Sequence, residues 1–173
     1  MAVLPILEVP HPVLSKVARS VQDNEFGESL NKILNDMTET MYIAPGVGLA
    51  APQIGDSRRI LVIDPGNNDD ESERMLFQIV NPIIVEHSED KISYEESCLS
   101  IPEYSLTMER FRRVKVKYKD GNGTEYEQWF EDFPAIVVQH EIDHLEGITL
   151  LEHSSRFAKN RYLKKQLKRR RKS

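Results

Sequence analysis

The sequence predicts an α+β fold in which mostly antiparallel strands surround one late, central helix. Three observations predict it. Val114, Val116 and Tyr118 alternate with lysines, and a second strand-like run covers Tyr126 to Phe130. Asp120-Gly121-Asn122-Gly123 lies between the two runs and reads as a hairpin turn. Leu30, Ile33, Leu34, Met37 and Met41 recur at helical spacing. Ala135, Val138, Ile142 and Leu145 do the same after Pro134 and before Gly147, a residue suited to a helix start and one suited to its end. Helix, several strands and helix in that order favour antiparallel pairing.

Taken in order, residues 1–24 carry Pro5, Pro10 and Pro12 and read as irregular chain with a short strand and a turn of helix. Residues 25–43 are the first helix. Residues 44–55 form a loop with Gly46 and Gly48, which permit close approach of another chain. That loop lacks a Gly-Lys-Ser/Thr ending and a third glycine at dinucleotide-binding spacing, which excludes a phosphate cradle. Arg59–Asp64 is a short apolar strand, residues 65–74 a polar loop, and 76–86 and 91–97 further strands.

The length of 173 residues suits one core-forming domain over residues 1–153, with residues 154–173 as a basic tail. At 39% hydrophobic and 29% charged, the composition is that of a soluble globular chain, expected to be a monomer. No apolar run approaches a membrane span, and no basic leader precedes an apolar block. The expected setting is therefore the cytoplasm of a bacterium, with a processed organellar form the weaker alternative. The tail holds ten Lys/Arg and no acid, which leaves 13 basic against 28 acidic residues on the body. Phe157, Leu163 and Leu167 suggest a helix to about residue 167, with Lys168–Ser173 expected to be disordered. A solvated tail and an RNA-binding tail both fit this composition; an anionic membrane fits less well.

Gln139-His140-Glu141-Ile142-Asp143-His144 contains H-E-x-x-H. On a helix, His140 and His144 lie roughly 40° apart on one face, one turn along. Two imidazoles so placed can bind one metal ion, and Glu141 can reach a water held there without being a ligand. A third ligand is needed. Leu150 stands where a third histidine six residues on would be, and no acid follows Glu152, where a downstream glutamate would serve. His11 and His87 read as isolated surface histidines, and His153 lies beyond the expected helix end. Cys98, the single cysteine, remains. A thiolate with two imidazoles suits Zn(II) or Fe(II), and a buried free thiol is the plain alternative. Spacing alone leaves that choice open.

Three motifs carry a resemblance that runs from near the N-terminus to about residue 150. Gly46-Val47-Gly48-Leu49-Ala50-Ala51-Pro52-Gln53 matches G-x-G-x-A-A-x-Q, Glu96-Ser97-Cys98-Leu99-Ser100 matches E-G-C-L-S at all but one position, and Gln139 to Gly147 matches Q-H-E-x-D-H-L-x-G. In these the chain resembles the polypeptide deformylase family. The resemblance implies that family's fold and a metal held by Cys98, His140 and His144. It implies Fe(II) as the native ion, with Zn, Ni or Co able to replace it. It further implies removal of the N-formyl group from the first methionine of new polypeptides, with release of formate. Glu141 would be the general base, and Gln53 with the backbone N–H of Leu99 would donate to the oxyanion. The substrate backbone would lie along Gly46, Val47, Gly48 and Ser97, with Gly48 also beside the reacting centre. Val47, Tyr94, Phe133, Ile136, Val137 and the His140 ring would receive the methionine. Asp143 is expected to pair with Arg110, and Glu96 to brace the motif segments. A basic C-terminal helix would be a route to the ribosome. Two departures stand out: Ser97 replaces the family's glycine, and Ser105 stands where many relatives have an arginine. The competing readings are a two-histidine zinc peptidase with another third ligand, and an RNA-binding module on a decayed enzyme scaffold.

Overall fold

The computed structural model describes residues 2–66 and 70–172. Its main sheet has five strands in the order β1 (Gly48–Ala50), β2 (Ile60–Ile63), β3 (Phe77–His87), β6 (Arg113–Lys119) and β7 (Glu125–Glu131), every pair antiparallel. A separate antiparallel hairpin joins β4 (Lys91–Cys98) to β5 (Ile101–Phe111). The helices are α1 (Glu28–Ile43), α2 (Phe133–Leu145), the short α3 (Leu150–His153) and α4 (Arg156–Lys172). The α+β architecture expected from the sequence is the one observed.

Side-chain parity explains how the sheet divides two cores. Successive residues of β2 point to opposite faces. Ile60 and Val62 pack with Leu30, Leu34, Met37 and Met41 of α1. Leu61 and Ile63 pack with Ala135, Val138, Ile142 and Leu145 of α2. Both faces of β2 are thus covered, so its four residues are all fully buried and read as one apolar run. A third cluster joins Val9 and Leu14 to Ile101, Met108, Leu150, Leu151 and Tyr162.

The structure corrects three expectations. Asp23–Glu25 form a separate 3-10 turn, so the first helix starts three residues later than expected. The strand Ile101–Phe111, as long as any in the fold, was not anticipated. Its inward-facing series runs Leu106, Met108 and Arg110, and a buried arginine breaks the apolar pattern. The tail is also different. Lys168–Lys172 continue α4 rather than lying disordered, and Ser173 lies outside the described residues. Phe157 and Leu167 are exposed, whereas Tyr162 and Gln166 are buried. Tyr162 donates to the Pro102 carbonyl at 2.7 Å and Gln166 Nε2 to Glu8 Oε1 at 2.8 Å, so polar anchors seat the helix on the body. Of the loop at 65–74, Asn67, Asn68 and Asp69 fall outside the described residues.

The end of α2 is fixed from outside. The Leu145 carbonyl accepts from Ala18 N at 2.8 Å and Arg59 Nη1 at 3.3 Å. Gly147 then turns the chain away at φ 74°, and a Cβ there would sit 2.7 Å from the Ser15 carbonyl oxygen. Both the left-handed backbone and that contact select glycine. Gly147→Ala is expected to lower unfolding stability by about 1–3 kcal/mol, read from denaturant midpoints. An unchanged midpoint would show that this helix end adapts freely.

Candidate metal centre

Two elements bring the donor atoms together. β4 ends at Cys98, and α2 carries His140 and His144 on its cleft side. The Cys98, His140 and His144 donor atoms all lie within 4.8 Å of one another, and Cys98 Sγ is 3.3 Å from His144 Nε2. Tetrahedral ligation with Zn–S about 2.3 Å and Zn–N about 2.0 Å puts donors roughly 3.3–3.7 Å apart, so one thiolate and two imidazoles in this spread suit a single ion. The third donor left open by the sequence pattern is thereby brought to the histidine pair. His11 instead accepts from Val13 N, and His87 stacks on Phe111.

His140 is oriented by a buried carboxylate. Its Nδ1 lies 2.8 Å from Glu96 Oε1, an acceptor, so Nδ1 carries the proton and Nε2 is left to bind. Glu96 is itself clamped by Arg110, whose Nε and Nη2 donate to its two oxygens at 2.7 and 2.8 Å. Arg110 Nη1 also donates to Asp143 at 2.8 Å, and His153 Nε2 contacts the same Asp143 oxygen at 3.1 Å. The expected Arg110–Asp143 pair is present, and Glu96 links β4, β5 and α2. Burial would raise the Glu96 pKa, but the Arg110 and His140 hydrogen bonds overcome it and hold the carboxyl below its usual range.

Glu141 lies beside this cluster, 4% exposed, with its Oε2 4.0 Å from His140 Nε2. Burial pushes its pKa up to about 7, against the opposing pull of His140 and Arg110. Burial lowers His140 too, but Glu141, Cys98 and Glu96 carry it well above the ordinary value. His144 is driven well below it by burial and then by His140 and Arg110. Glu141 Oε1 and His144 Nδ1 are buried with no hydrogen-bond partner among the described residues. A buried carboxylate beside a Cys/His/His cluster, with one of its oxygens unpartnered, fits a site built for a ligand or ion.

A cleft of about 700 Å³ opens onto the cluster. Gly46, Val47, Gly48 and Gln53 form one wall, and Tyr94, Glu96, Ser97, Cys98 and Leu99 another. Phe133, Ile136, Val137, His140 and Glu141 of α2 close it. Of the residues assigned from the sequence to metal binding, catalysis or substrate contact, only His144 lies off the lining. Gln53 is 1% exposed; its Oε1 accepts from Ala50 N at 2.9 Å, and its Nε2 donates to Ser100 Oγ at 3.1 Å and approaches Cys98 Sγ at 3.6 Å. The Leu99 side chain covers Gly46. Ser97 and Ser105 face each other as a cross-strand pair.

Sequence reasoning missed two positioning contacts. Gln139 Nε2 donates to the Phe111 and Ala135 carbonyls at 2.8 and 2.9 Å, and its Oε1 accepts from Phe111 N at 3.2 Å, which rivets α2 to the end of β5. His153, set aside as lying past the helix, reaches Asp143. Gln139 sits inside the motif, and that was its one signal; His153 had none.

The fold and site define a hydrolase with a candidate Cys/His/His metal centre. The chain belongs to the polypeptide deformylase family, whose sequence model matches residues 3–160. Peptide deformylases from Desulfotalea psychrophila and Phenylobacterium zucineum are 46% and 43% identical to it over 95% of each chain. The structure of the Ehrlichia chaffeensis peptide deformylase in complex with actinonin is similar, with a TM-score of 0.90, 37% identity and 98% of each chain covered. A Met-Ala-Ser-bound peptide deformylase from Acinetobacter baumannii aligns with a TM-score of 0.80 and 38% identity over 87% of this chain and 98% of that one. The family removes N-formyl groups from nascent peptides.

Two substitutions test the geometry. A Cβ at Gly48 would lie 2.6 Å from Glu141 Oε2 and 2.9 Å from Cδ, so Gly48→Ala must displace that carboxylate. A shift of about 1 Å there is expected to lower formyl-peptide turnover roughly 100-fold, with the thermal midpoint nearly unchanged; full turnover would show that Glu141 tolerates displacement. Arg110→Met leaves Glu96 buried with His140 Nδ1 as its one described side-chain partner, at an expected cost of about 3–5 kcal/mol at neutral pH. In the parent, the depressed Glu96 pKa contributes stability above the unfolded value, which is lost as pH falls through the folded one. In the variant only His140 opposes burial, so the Glu96 pKa rises above that of the parent and protonation relieves the penalty. The stability gap between the two proteins should therefore narrow below about pH 4.5; a constant gap would contradict this.

Proposed function

We propose that this chain hydrolyses the formyl amide at the N-terminal methionine of new polypeptides, with Cys98, His140 and His144 holding a divalent metal. The observation that carries the reading is the buried Glu141 carboxylate, with one oxygen unpartnered, beside three converging metal-binding donors at the floor of an open cleft. The proposed ion is Fe(II), for which Zn(II), Ni(II) or Co(II) can substitute, since thiolate and imidazole suit all four. When bound, the ion supplies Lewis-acid polarisation of the carbonyl and lowers the pKa of water at the site.

The remaining roles fall to the chain. Glu141 takes a proton from the attacking water as its oxygen bonds to the formyl carbon. The same carboxyl returns that proton to the amine as the C–N bond breaks, releasing formate and the free amino terminus. A carboxylate poised near pH 7 suits both transfers. Gln53 Nε2 and the Leu99 N–H are assigned to the oxyanion. Gln53 is preorganised because its Oε1 is already held by Ala50 N. Peptide backbone is assigned to the outer edges of β1 and β4, along Gly46, Val47, Gly48 and Ser97; each of these strands has one strand partner among the described residues. Val47 and Tyr94, 39% and 44% exposed, with Phe133, Ile136, Val137 and the His140 ring, offer the methionine an apolar seat. Tyr94 and Phe133 stand 5.3 Å apart, centroid to centroid. Contact with ribosomal RNA through the exposed basic residues of α4 is a separate part of the proposal. Among the described residues no helix is long and apolar enough to cross a membrane.

The test is anaerobic formate release from formyl-Met-Ala-Ser by Fe(II)-loaded protein, beside Glu141→Ala and Cys98→Ala. Loss of about 10²–10⁴-fold in Glu141→Ala with metal retained is expected, and loss of metal from Cys98→Ala. Undiminished turnover in Glu141→Ala would reject its role. A Cys98→Ala protein that keeps its metal would favour the two-histidine peptidase instead.

A further inference from the structure

The bulge near the β4–β5 turn faces two hollows. Between the pairs Cys98↔Ile101 and Ser97↔Ser105 the register shifts, so Pro102, Glu103 and Tyr104 leave the ladder. Glu103 and Tyr104 line the cleft and also a second hollow of about 290 Å³ against α4. The bulge is braced on α4 by the Tyr162 bond to the Pro102 carbonyl, with the contact of Tyr104 with Ser154 beside it. The rings of Tyr104 and Tyr162, both lining the second hollow, stand 5.2 Å apart, edge to face. Cleft and hollow thus share one rim. Tyr104 is three strand positions beyond Ile101, the partner of Cys98, or about 10 Å. An extended chain with its formyl group at the metal centre covers that distance in about three residues, so its fourth residue stands at the rim.

α4 presents two rows of side chains to this hollow. Ala158, Tyr162 and Gln166 form the inner row, and the last two are buried and seat the helix. Phe157, Arg161, Lys165 and Arg169 recur every four residues and form the outer row. Phe157 is 75% exposed, more than any other large apolar side chain among the described residues. Arg169 is already engaged: its Nη1 donates to Gln166 Oε1 at 3.1 Å and lies 3.8 Å from Glu103. Glu103 is the one acid in the described lining. The side chains of Arg161 and Lys165 have no ion pair or hydrogen bond to a described residue. Consecutive members of the row rise about 6 Å, close to the roughly 7 Å between alternate residues of an extended chain. Two side chains on one face of such a chain therefore match Arg161 and Lys165 together. Lys164 and Lys168 lie outside the lining.

We propose that this hollow is an exosite for substrate residues beyond the third, in which Arg161 and Lys165 hold acidic side chains at alternate positions over the apolar floor of Phe157 and Tyr104. The occupant is the polypeptide that fills the cleft, because the two hollows share Glu103 and Tyr104 and the free charges of the outer row are both positive. The proposal rests on the deformylase reading for where that chain starts. The exosite lies away from the reacting atoms and holds the chain equally before and during the reaction, so it acts on KM and leaves kcat alone. Attraction between exposed charges is modest per pair and screened by salt.

The experiment compares formyl-Met-Ala-Ser extended by four residues, all Asp, all Ser or all Lys, with the metal-loaded full chain at low and high salt. Expected is a KM about tenfold lower for the aspartate than for the lysine heptapeptide, with similar kcat, the ratio shrinking in high salt. The ratio should fall towards one in Arg161→Gln/Lys165→Gln, return in Arg161→Lys/Lys165→Arg, and persist in Lys164→Gln/Lys168→Gln. Calorimetry with the deformylated heptapeptides reads the same preference without turnover. Equal KM values and equal product affinities in the parent would overturn the exosite. So would a ratio that survives Arg161→Gln/Lys165→Gln, or one lost equally in Lys164→Gln/Lys168→Gln, which would reduce the effect to diffuse charge. Binding of a single-stranded RNA oligonucleotide that depends on Arg161 and Lys165, with the three peptides bound alike, would overturn it in favour of RNA. Absence of turnover on all three peptides would instead count against the deformylase reading, and the calorimetric comparison would still decide the exosite.

Discussion

The buried ion network on Arg110 is the constraint from which the site is assembled. A guanidinium and a carboxylate each cost several kcal/mol to remove from water, and only close, multiply bonded geometry repays it. Arg110 meets that demand with a two-fold bond to Glu96 and a third bond to Asp143. Those three residues belong to β5, β4 and α2, so the desolvation penalty falls on any arrangement in which the hairpin and the helix separate. Cys98 is two residues from Glu96, and His140 and His144 flank Asp143 in sequence. The donors from distant parts of the chain therefore meet because their neighbours must.

Packing then decides which side of α2 faces the cleft. Its apolar stripe enters the core shared with β2, β3, β6 and β7, while the histidines lie on another side. Both ends are held by polar contacts from outside the helix: Arg112 to Asp132, the residue before its first turn, and Ala18 and Arg59 to Leu145 at the end, with Gln139 bonded to Phe111 at its middle. A helix pinned at both ends and along one face has little freedom to turn its cleft-facing side chains, which is what preorganised chemistry requires.

How much of this the sequence showed depended on whether a signal was periodic or three-dimensional. The hairpin at Asp120–Gly123, the two amphipathic helices and the H-E-x-x-H segment were legible because their spacing matches one element's geometry. The strand Ile101–Phe111 was not, because Arg110 occupies an inward position and a bulge at Pro102–Tyr104 breaks the register. In α4, apolar periodicity pointed to Phe157, Leu163 and Leu167; Leu163 does pack on the third cluster, but Phe157 and Leu167 are exposed and Tyr162 and the polar Gln166 make the buried contact, with a hydrogen bond to Glu8 helping to settle which face turns inward. The convergence of Cys98 with the histidines was supplied by motif resemblance alone; the bracing by Gln139 and His153 exists only once the chain is folded.

The environment of Glu141 joins these threads. A carboxylate serves as a proton acceptor near neutral pH only if something lifts its pKa, and here burial does so. Burial that deep requires a neighbour with no side chain: Gly48 lets β1 pass so close that a Cβ would overlap the carboxylate. The tight approach also removes water from one side of the group while the cleft leaves the other side open to a peptide. Glycine at position 48 therefore acts on the electrostatics of the site as well as on its shape. Had the strand stood off far enough to admit a methyl group, solvent could have followed, and the lift in the Glu141 pKa would have been lost with the contact.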